Sequence, residues 1–286
     1  MSTVRLSKLL AERGLCSRRE ADTWVREGRI TVNGAVQTEP GTLVEPGTDH
    51  VKVDGRRLPA APRLRYFLMF KPRGYLVTRS DPEGRRTVQD LMPRIRERLD
   101  PVGRLDLQTE GLLLFTNDGD LAHRLAHPAG SVPRKYVAKV WRTPTEKTLA
   151  RLRKGVQLDD GRSGPCDVRV LEVTETGNAW LEIIVREGRN RLVRRMLQAV
   201  NHPVNKLRRV GFGPLVLGEL ERGAVRELTV EELRQLRDVA AGKAVDADAK
   251  SDKPRRKPGW AKPKPKKRRG PKHRGRSSAP KKRSRP

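Results

Sequence analysis

The first apolar positions of the chain recur with the period of an α-helix. Three leucines share the i, i+3, i+4 spacing of one helical face: Leu6, Leu9 and Leu10. They predict a helix over residues 5–13, which ends at Gly14. Ser17 and Glu20 have the spacing of a capping box, so a second helix is predicted to begin there and to end at Gly28. The residues that this second helix should bury are Ala21, Trp24 and Val25.

Short alternating stretches then predict a small antiparallel sheet. Residues 29–37 favour two strands joined by an Asn-Gly pair, which is the strongest short hairpin signal. A further turn leads to a third strand over 50–55. Two helices and three strands make a compact first domain, to which we assign residues 1–57. Residues 56–65 are rich in Pro and Arg, which predicts a linker over 58–64.

Strand and helix patterns alternate irregularly over residues 65–242. Strands are predicted at 65–70, 112–115, 135–141 and 179–185, and an amphipathic helix at 192–200. After a turn at 117–119, Asp118 or Asp120 is predicted to cap a short helix that ends at Pro128. No regular βαβ repeat is present, which argues for an α+β domain with a mostly antiparallel mixed sheet.

The chain is strongly basic, with a formal net charge of +29 over 286 residues. Residues 250–286 contain 18 Lys and Arg against one acidic residue, and the rest of the chain is basic as well. Such a charge favours a polyphosphate partner, DNA or RNA. Residues 243–286 have too little apolar surface to fold, which predicts a disordered tail. The seven prolines there prevent the basic amphipathic helix that a membrane surface would require, so we expect no membrane partner.

The first residues of the chain and the two cysteines are informative about the cellular location of the protein. The first residues show no signal-peptide core, and no stretch approaches the ~20 apolar residues of a membrane span. Cys16 and Cys166 lie far apart and form no disulfide framework, which fits a reducing cytoplasm. We expect a cytoplasmic monomer.

Basic and polar side chains cluster in the first domain. They are Arg5 and Lys8 on the first helix, Arg18 and Arg19 at the start of the second, and Asn33 at the hairpin tip. A solvated basic surface is the ordinary interpretation, but the presence of these groups on three elements of one small unit favours docking on an RNA backbone by shape. The stretch resembles the small RNA-binding module first described in a ribosomal small-subunit protein, the alpha-L motif.

Asp106 precedes an apolar run, and residue chemistry alone leaves two interpretations open: a solvated turn residue or a nucleophile in a dry pocket. The segment 103–120, GRLDLQTEGLLLFTNDGD, closely resembles the signature of pseudouridine synthases of the RsuA/RluB type. In that family the aspartate of GRLD is the catalytic nucleophile, so the resemblance implies that role for Asp106.

The resemblance extends over residues 3–240. RKYVAKV matches the tyrosine strand of the family and implies Tyr136 as the tyrosine that stacks on uracil and moves a proton at C5. EGRNRLVRRM matches the third motif, which implies that Arg194 pairs with the nucleophile and that Arg189 lies in the preceding turn. Arg104 is expected to fill the position of a flipped base. Lys71 and the neighbouring Arg73 are candidates for phosphate contacts.

The implied enzyme isomerises a specific uridine of large-subunit ribosomal RNA to pseudouridine, because the GRNR form of the third motif resembles that branch. One departure is Arg191-Leu192, where some relatives have His-Gln, so the resemblance assigns no contact to the Leu192 side chain. The alternatives are a small-subunit target and a non-catalytic RNA-binding factor in ribosome assembly.

No cofactor or metal is expected. The isomerisation is redox-neutral, and no Gly-rich phosphate loop is present, which also argues against a methyltransferase. His123 and His127 have a metal-ligand spacing, but HRLAH lacks the glutamate of a zinc hydrolase and no third ligand is evident.

Overall fold

The computed structural model of this protein describes residues 3–127 and 130–243. Two predictions therefore fall wholly or partly outside the described residues: the basic tail over 243–286 and the helix end at Pro128. Within the described part, no helix has both the length and the apolar character needed to span a membrane.

The chain begins with the two helices that the apolar spacing predicts. The elements of this region are β1 (Val4–Arg5), α1 (Leu6–Glu12), α2 (Arg18–Arg26), β2 (Ile30–Val32), β3 (Ala35–Gln37), β4 (Leu43–Val44), β5 (Val51–Val53) and β6 (Arg56–Arg57). The Glu20 amide donates to Ser17 Oγ at 3.1 Å, and the Ser17 amide donates to the Glu20 carboxylate at 2.6 Å. The predicted capping box is therefore present at the start of α2.

A four-stranded antiparallel sheet follows, in the order β3-β2-β5-β6. Asn33 and Gly34 both have positive φ, as a two-residue hairpin turn requires. The Asn33 side chain donates to Asp49 at 2.8 Å and accepts from the His50 amide at 2.9 Å. These bonds tie the hairpin tip to the neighbouring turn.

One hydrophobic core joins these helices to the strands. It consists of Leu6, Leu9, Leu10, Cys16, Ala21, Val25, Ile30, Val44 and Val51. Trp24 packs against this core but stays half-buried, with the Arg29 guanidinium 4.7 Å from its ring centroid. The prediction that α2 buries Ala21 and Val25 is confirmed, and for Trp24 it is correct only in part.

Residues 66–240 form an α+β fold around one large mixed sheet. Its elements are β7 (Tyr66–Lys71), a 3-10 turn (Val88–Leu91), β8 (Asp100–Pro101), β9 (Thr109–Thr116), α3 (Gly119–Ala126), β10 (Arg134–Val140), α4 (Glu146–Arg153), β11 (Asp167–Val173), β12 (Ala179–Val185), α5 (Leu192–Ala199), β13 (Val204–Phe212), β14 (Leu215–Val216), β15 (Val225–Glu227) and α6 (Val230–Ala240). The nine-stranded sheet has the order β11-β12-β10-β13-β9-β7-β15, with β14 beside β13 and β8 beside β9.

The central strand β9 is buried along its whole length, and it pairs with β7 on one side and β13 on the other. Its pairing with β13 is parallel, whereas the neighbouring pairs are antiparallel. At Gly111 φ is +119°, and a Cβ atom there would lie 2.1 Å from the Arg209 carbonyl oxygen. Only glycine therefore allows β9 and β13 to approach this closely.

Helix α3 begins at the residue that the sequence offered as one of two caps. The Asp118 carboxylate accepts from the Leu121 amide at 2.9 Å, so Asp118 is the cap. Asp120 instead accepts from Lys8 Nζ at 2.8 Å, which links α1 to α3. The role of Lys8 in RNA binding remains a prediction, and its ammonium group is engaged within the protein.

Candidate active site

Asp106 lies in the turn between β8 and β9. The Thr109 amide donates to the Asp106 carbonyl at 3.0 Å, which closes the turn. The Asp106 side chain is 27% exposed, and the preceding Leu105 is buried. The carboxylate therefore sits at the boundary between solvent and the apolar interior, between the two interpretations that residue chemistry had left open.

Lys71 binds the backbone of the Asp106 turn. This corrects the prediction that Lys71 contacts a phosphate. Lys71 is completely buried, and its ammonium donates to the carbonyls of Pro72 at 3.0 Å, Asp106 at 3.1 Å and Thr109 at 2.8 Å. Burial lowers the pKa of Lys71 to about 8, against the opposing effect of the Asp106 and Glu110 carboxylates. Lys71 cannot contact an RNA phosphate, because its charge serves the turn instead.

Two guanidiniums face the Asp106 carboxylate. Arg194 Nε lies 3.6 Å and Arg191 Nη1 lies 3.8 Å from Asp106 Oδ2. Arg194 also donates to the Gln108 carbonyl at 3.1 Å and to Thr109 Oγ1 at 3.3 Å. Burial lowers the pKa of Arg194, and the charge of Asp106 opposes that shift. The predicted partner Arg194 is thus beside Asp106, and the second cation, Arg191, is one that the sequence analysis noted only as a departure from the family pattern.

Helix α5 carries both guanidiniums to Asp106. Its N-cap is Arg191, which has a left-handed backbone with φ 50°. Leu192 packs in the core under α5 and also borders the cleft at Asp106. The carboxylate of Asp160 accepts from Arg189 and from Arg195, on either side of this helix start. The helix start is therefore tied to the loop between α4 and β11.

Asp106 opens onto a cleft with a volume of about 140 Å³. The residues around it include Arg104, Asp106, Thr109, Arg134, Tyr136, Arg189, Arg191, Leu192, Arg209 and Phe212. This volume is roughly ten times the space that one water molecule needs, so a single nucleobase fits. The structure thus brings Asp106 and the predicted Tyr136 to one cleft, with Arg104 exposed at its wall.

The other predicted RNA-binding residues lie away from the Asp106 carboxylate. Arg189 lines the cleft, but its guanidinium is bound to Asp160 and to the carbonyls of Gly161 and Arg162. Arg73 Nε lies 3.9 Å from the buried Glu110. In the first domain the basic side chains of Arg5, Arg18 and Arg19 are exposed. Their contacts with RNA stay predictions.

Two further cleft residues were not singled out from the sequence. Arg134 in β10 and Arg209 in β13 are both buried and both line the cleft. Arg209 lies two residues after the buried Leu207 in a strand, so its side chain points to the same, inner face. This spacing is the sequence signal from which Arg209 could have been predicted. Among the described residues, His123 and His127 belong to no group of three potential metal ligands.

Comparison with known proteins places this architecture in a family. Residues 65–199 match the RNA pseudouridylate synthase family, and residues 4–50 match the S4 domain. An uncharacterized RNA pseudouridine synthase of Aquifex aeolicus is 45% identical over 82% of this chain and 94% of its own length. Ribosomal large subunit pseudouridine synthase B of Bacillus subtilis is 40% identical over 82% of this chain and 96% of its own length.

A solved structure supports the same assignment. The crystal structure of a pseudouridylate synthase matches this fold with a TM-score of 0.60 and 26% identity. The match covers 82% of this chain and 99% of that chain. The chain, an S4 domain followed by a mixed-sheet domain with a carboxylate at its cleft, therefore belongs to the RNA pseudouridine synthase family.

Proposed function

We propose that this protein converts a uridine of large-subunit (23S) ribosomal RNA to pseudouridine, with Asp106 as the catalytic carboxylate. The observation that carries the proposal is the position of Asp106, which is partly exposed at a cleft of nucleobase size and is faced by two guanidiniums. The large-subunit target rests on relatives named ribosomal large subunit pseudouridine synthase B in Bacillus subtilis and Pseudomonas aeruginosa.

The reaction breaks the N1–C1′ glycosidic bond, turns the base and joins C5 to C1′. A carboxylate serves the first step in one of two ways: it attacks C1′, or it removes a proton from the ribose. Asp106 is available for either role, because no hydrogen bond to its carboxylate oxygens among the described residues is shorter than the 3.5 Å contact with Thr109. Arg191 and Arg194 place two positive charges beside this carboxylate, at 3.8 Å and 3.6 Å from Asp106 Oδ2.

The remaining cleft residues would hold the substrate. The Tyr136 ring provides a flat surface for the uracil, and its hydroxyl can move the C5 proton. The target nucleotide must leave its stack at a cost of about a few kcal/mol, and Arg104 at the cleft wall is placed to occupy the gap. The S4 domain contributes affinity through its exposed Arg5, Arg18 and Arg19. On this proposal the protein works as a cytoplasmic monomer on ribosomal RNA.

The test is tritium release from C5-labelled uridine in a large-subunit ribosomal RNA fragment. Asp106→Ala should abolish release and leave RNA binding largely intact. Asp100→Ala is a matched control, because Asp100 is an exposed aspartate of β8 that pairs with Arg79 at 2.9 Å. Undiminished release by Asp106→Ala would overturn the catalytic assignment.

The target itself needs a second measurement. Pseudouridines are mapped in ribosomal RNA from cells with and without this protein. Loss of one large-subunit position supports the proposed target. Loss of a small-subunit position alone would overturn it and leave the isomerase assignment in place.

A further inference from the structure

Two buried arginines at the cleft lack an acidic partner. Arg134 is 8% and Arg209 is 3% exposed. Arg134 donates to the Val132 carbonyl at 3.1 Å, and Arg209 Nε donates to the Leu112 carbonyl at 2.8 Å. Within residues 3–127 and 130–243, no carboxylate lies within ion-pair distance of either guanidinium.

Both guanidiniums border the same aromatic surface. Arg134 lies 5.6 Å and Arg209 lies 5.2 Å from the centroid of the Phe212 ring. Tyr136 is the cross-strand neighbour of Arg209. All four side chains line the cleft that contains Asp106. The cleft thus combines two flat rings with two positive charges.

The charge of this pair is incompletely satisfied. Arg209 Nη2 is buried and has no hydrogen-bond partner among the described residues. Burial lowers the pKa of both guanidiniums below the ordinary value. Buried charges in proteins are ordinarily paired, because removing an ion from water is expensive. The adjacent Arg208 follows that rule, since its Nε donates to the buried Glu110 at 2.7 Å.

We propose that Arg134 and Arg209 form an anion site for the nucleobase, which stabilises the pyrimidine while it is detached from the ribose. This inference rests on the proposed function and adds a binding role for two residues to which the family resemblance assigned none. A group placed where negative charge develops, and paired with nothing else, lowers the energy of that charged state without prior rearrangement.

The chemistry requires such an anion by either route at Asp106. When the N1–C1′ bond breaks, its electron pair leaves with the base, which then carries negative charge over N1, O2 and O4. C1′ gains a bond to an Asp106 oxygen, or C2′ loses its proton to Asp106. The charge disappears when C5 bonds to C1′. In the first route the bond between C1′ and the Asp106 oxygen breaks in that step, and in the second route Asp106 returns its proton to C2′ as the C1′–C2′ double bond is lost. The C5 proton is then removed and N1 gains a proton. Throughout, no oxidant or reductant is consumed.

A base suits this site better than a phosphate. The guanidiniums lie beside the rings of Tyr136 and Phe212, and flat apolar surfaces fit a planar heterocycle. Phosphates are better served by exposed side chains such as Arg104 and Arg191. The site is therefore expected to distinguish a planar anion from its neutral counterpart.

The kinetic test compares variants that remove the positive charge with variants that keep it. Arg134→Met and Arg209→Met should each lower kcat by about 10²-fold with little change in KM, because the charge acts after the substrate is bound. Arg134→Lys and Arg209→Lys retain the charge and should recover at least about a tenth of the wild-type kcat. Equal losses in the Lys and Met variants, with each variant folded by circular dichroism, would overturn the proposal.

A binding test begins with the wild-type full chain and uses the Met variants as controls. Barbiturate is a planar pyrimidine that is anionic at neutral pH, and uracil is its neutral counterpart. Calorimetry should show tighter binding of barbiturate, with the preference lost in the Met variants. Equal affinity for the two ligands in the wild type would overturn the anion site. Barbiturate preference in a protein that makes no pseudouridine would instead leave the site standing and overturn the proposed function.

Discussion

Asp106 and Glu110 are two carboxylates four residues apart on one segment, and they are held in opposite ways. Glu110 is 4% exposed and accepts from Arg208 at 2.7 Å, with Arg222 and Arg73 at 3.6 Å and 3.9 Å. Asp106 is 27% exposed, and its two guanidiniums lie at 3.6 Å and 3.8 Å. Glu110 is inside strand β9, whereas Asp106 is in the turn before it.

The difference separates a structural acid from a reactive one. A carboxylate with short, buried ionic hydrogen bonds has its lone pairs occupied and contributes to the fold. A carboxylate that guanidiniums face without tight contact keeps its oxygens available for a substrate. Since both acids lie in the same motif, sequence position alone does not distinguish them.

Glu110→Gln should give the largest effect on stability. The substitution removes the negative charge that faces three guanidiniums in a buried site, so the free energy of unfolding should fall by about 3–5 kcal/mol. Urea unfolding at neutral pH measures this change in the free energy of unfolding. Asp106→Asn is the matched change in the preceding turn and should alter stability by less than about 1 kcal/mol. A larger loss for Asp106→Asn than for Glu110→Gln would reverse the comparison.

Lys71→Met tests what holds the Asp106 turn. The pKa of Lys71 is about 8 in the folded protein and has an ordinary value of 10.5, so the unfolded chain binds this proton more tightly. Stability from this group is therefore constant below about pH 8 and rises between about pH 8 and 10.5. The wild type should gain up to about 3 kcal/mol relative to Lys71→Met across that interval.

The measurement for Lys71 is the difference between two pH–stability curves. Urea unfolding of the wild type and of Lys71→Met from pH 7 to 10.5 cancels the titration of the groups that both proteins share. A difference that stays flat over the interval would show that Lys71 keeps an ordinary pKa in the folded state, and would contradict the prediction.

Local chemistry explains which parts of the structure could be predicted. The capping box at Ser17 and the hairpin turn at Asn33 depend on neighbours within a few residues, and both are present. Strand β12 matches its predicted range because every residue in it except Glu182 is apolar and buried. Strand β9 begins three residues before the predicted run, because the charge of Glu110 is neutralised by Arg208 from a distant strand.

The site depended on contacts that the sequence does not reveal. Lys71 ends a strand beside a Pro-Arg-Gly turn, which favours a surface role, yet its ammonium reaches the Asp106 carbonyl 35 residues away. Arg134 and Arg209 come together with Tyr136 only through the pairing of β10 with β13. The family resemblance pointed to Asp106, Tyr136 and Arg194 but had no information on the buried cations around them.

Substitution of Asp160, which lies at a distance from Asp106, should have the smallest effect on activity. Its carboxylate accepts from Arg189 and Arg195, which flank the start of α5, and so it holds Arg191 and Arg194 toward Asp106. Asp160→Asn should lower kcat by about 10-fold with KM nearly unchanged, since the pairing at Asp106 loosens while the RNA contacts remain. Single-turnover tritium release separates the two parameters.

The adjacent acid provides the control for this last change. Asp159 is 85% exposed and contacts Arg195 alone among the described residues, so Asp159→Asn should change kcat less than about 2-fold. If both variants lose activity equally, the loss reflects a general change in loop charge rather than the position of α5. If only Asp160→Asn loses activity, the position of Arg191 and Arg194 beside Asp106 depends on a structural acid outside the Asp106 turn.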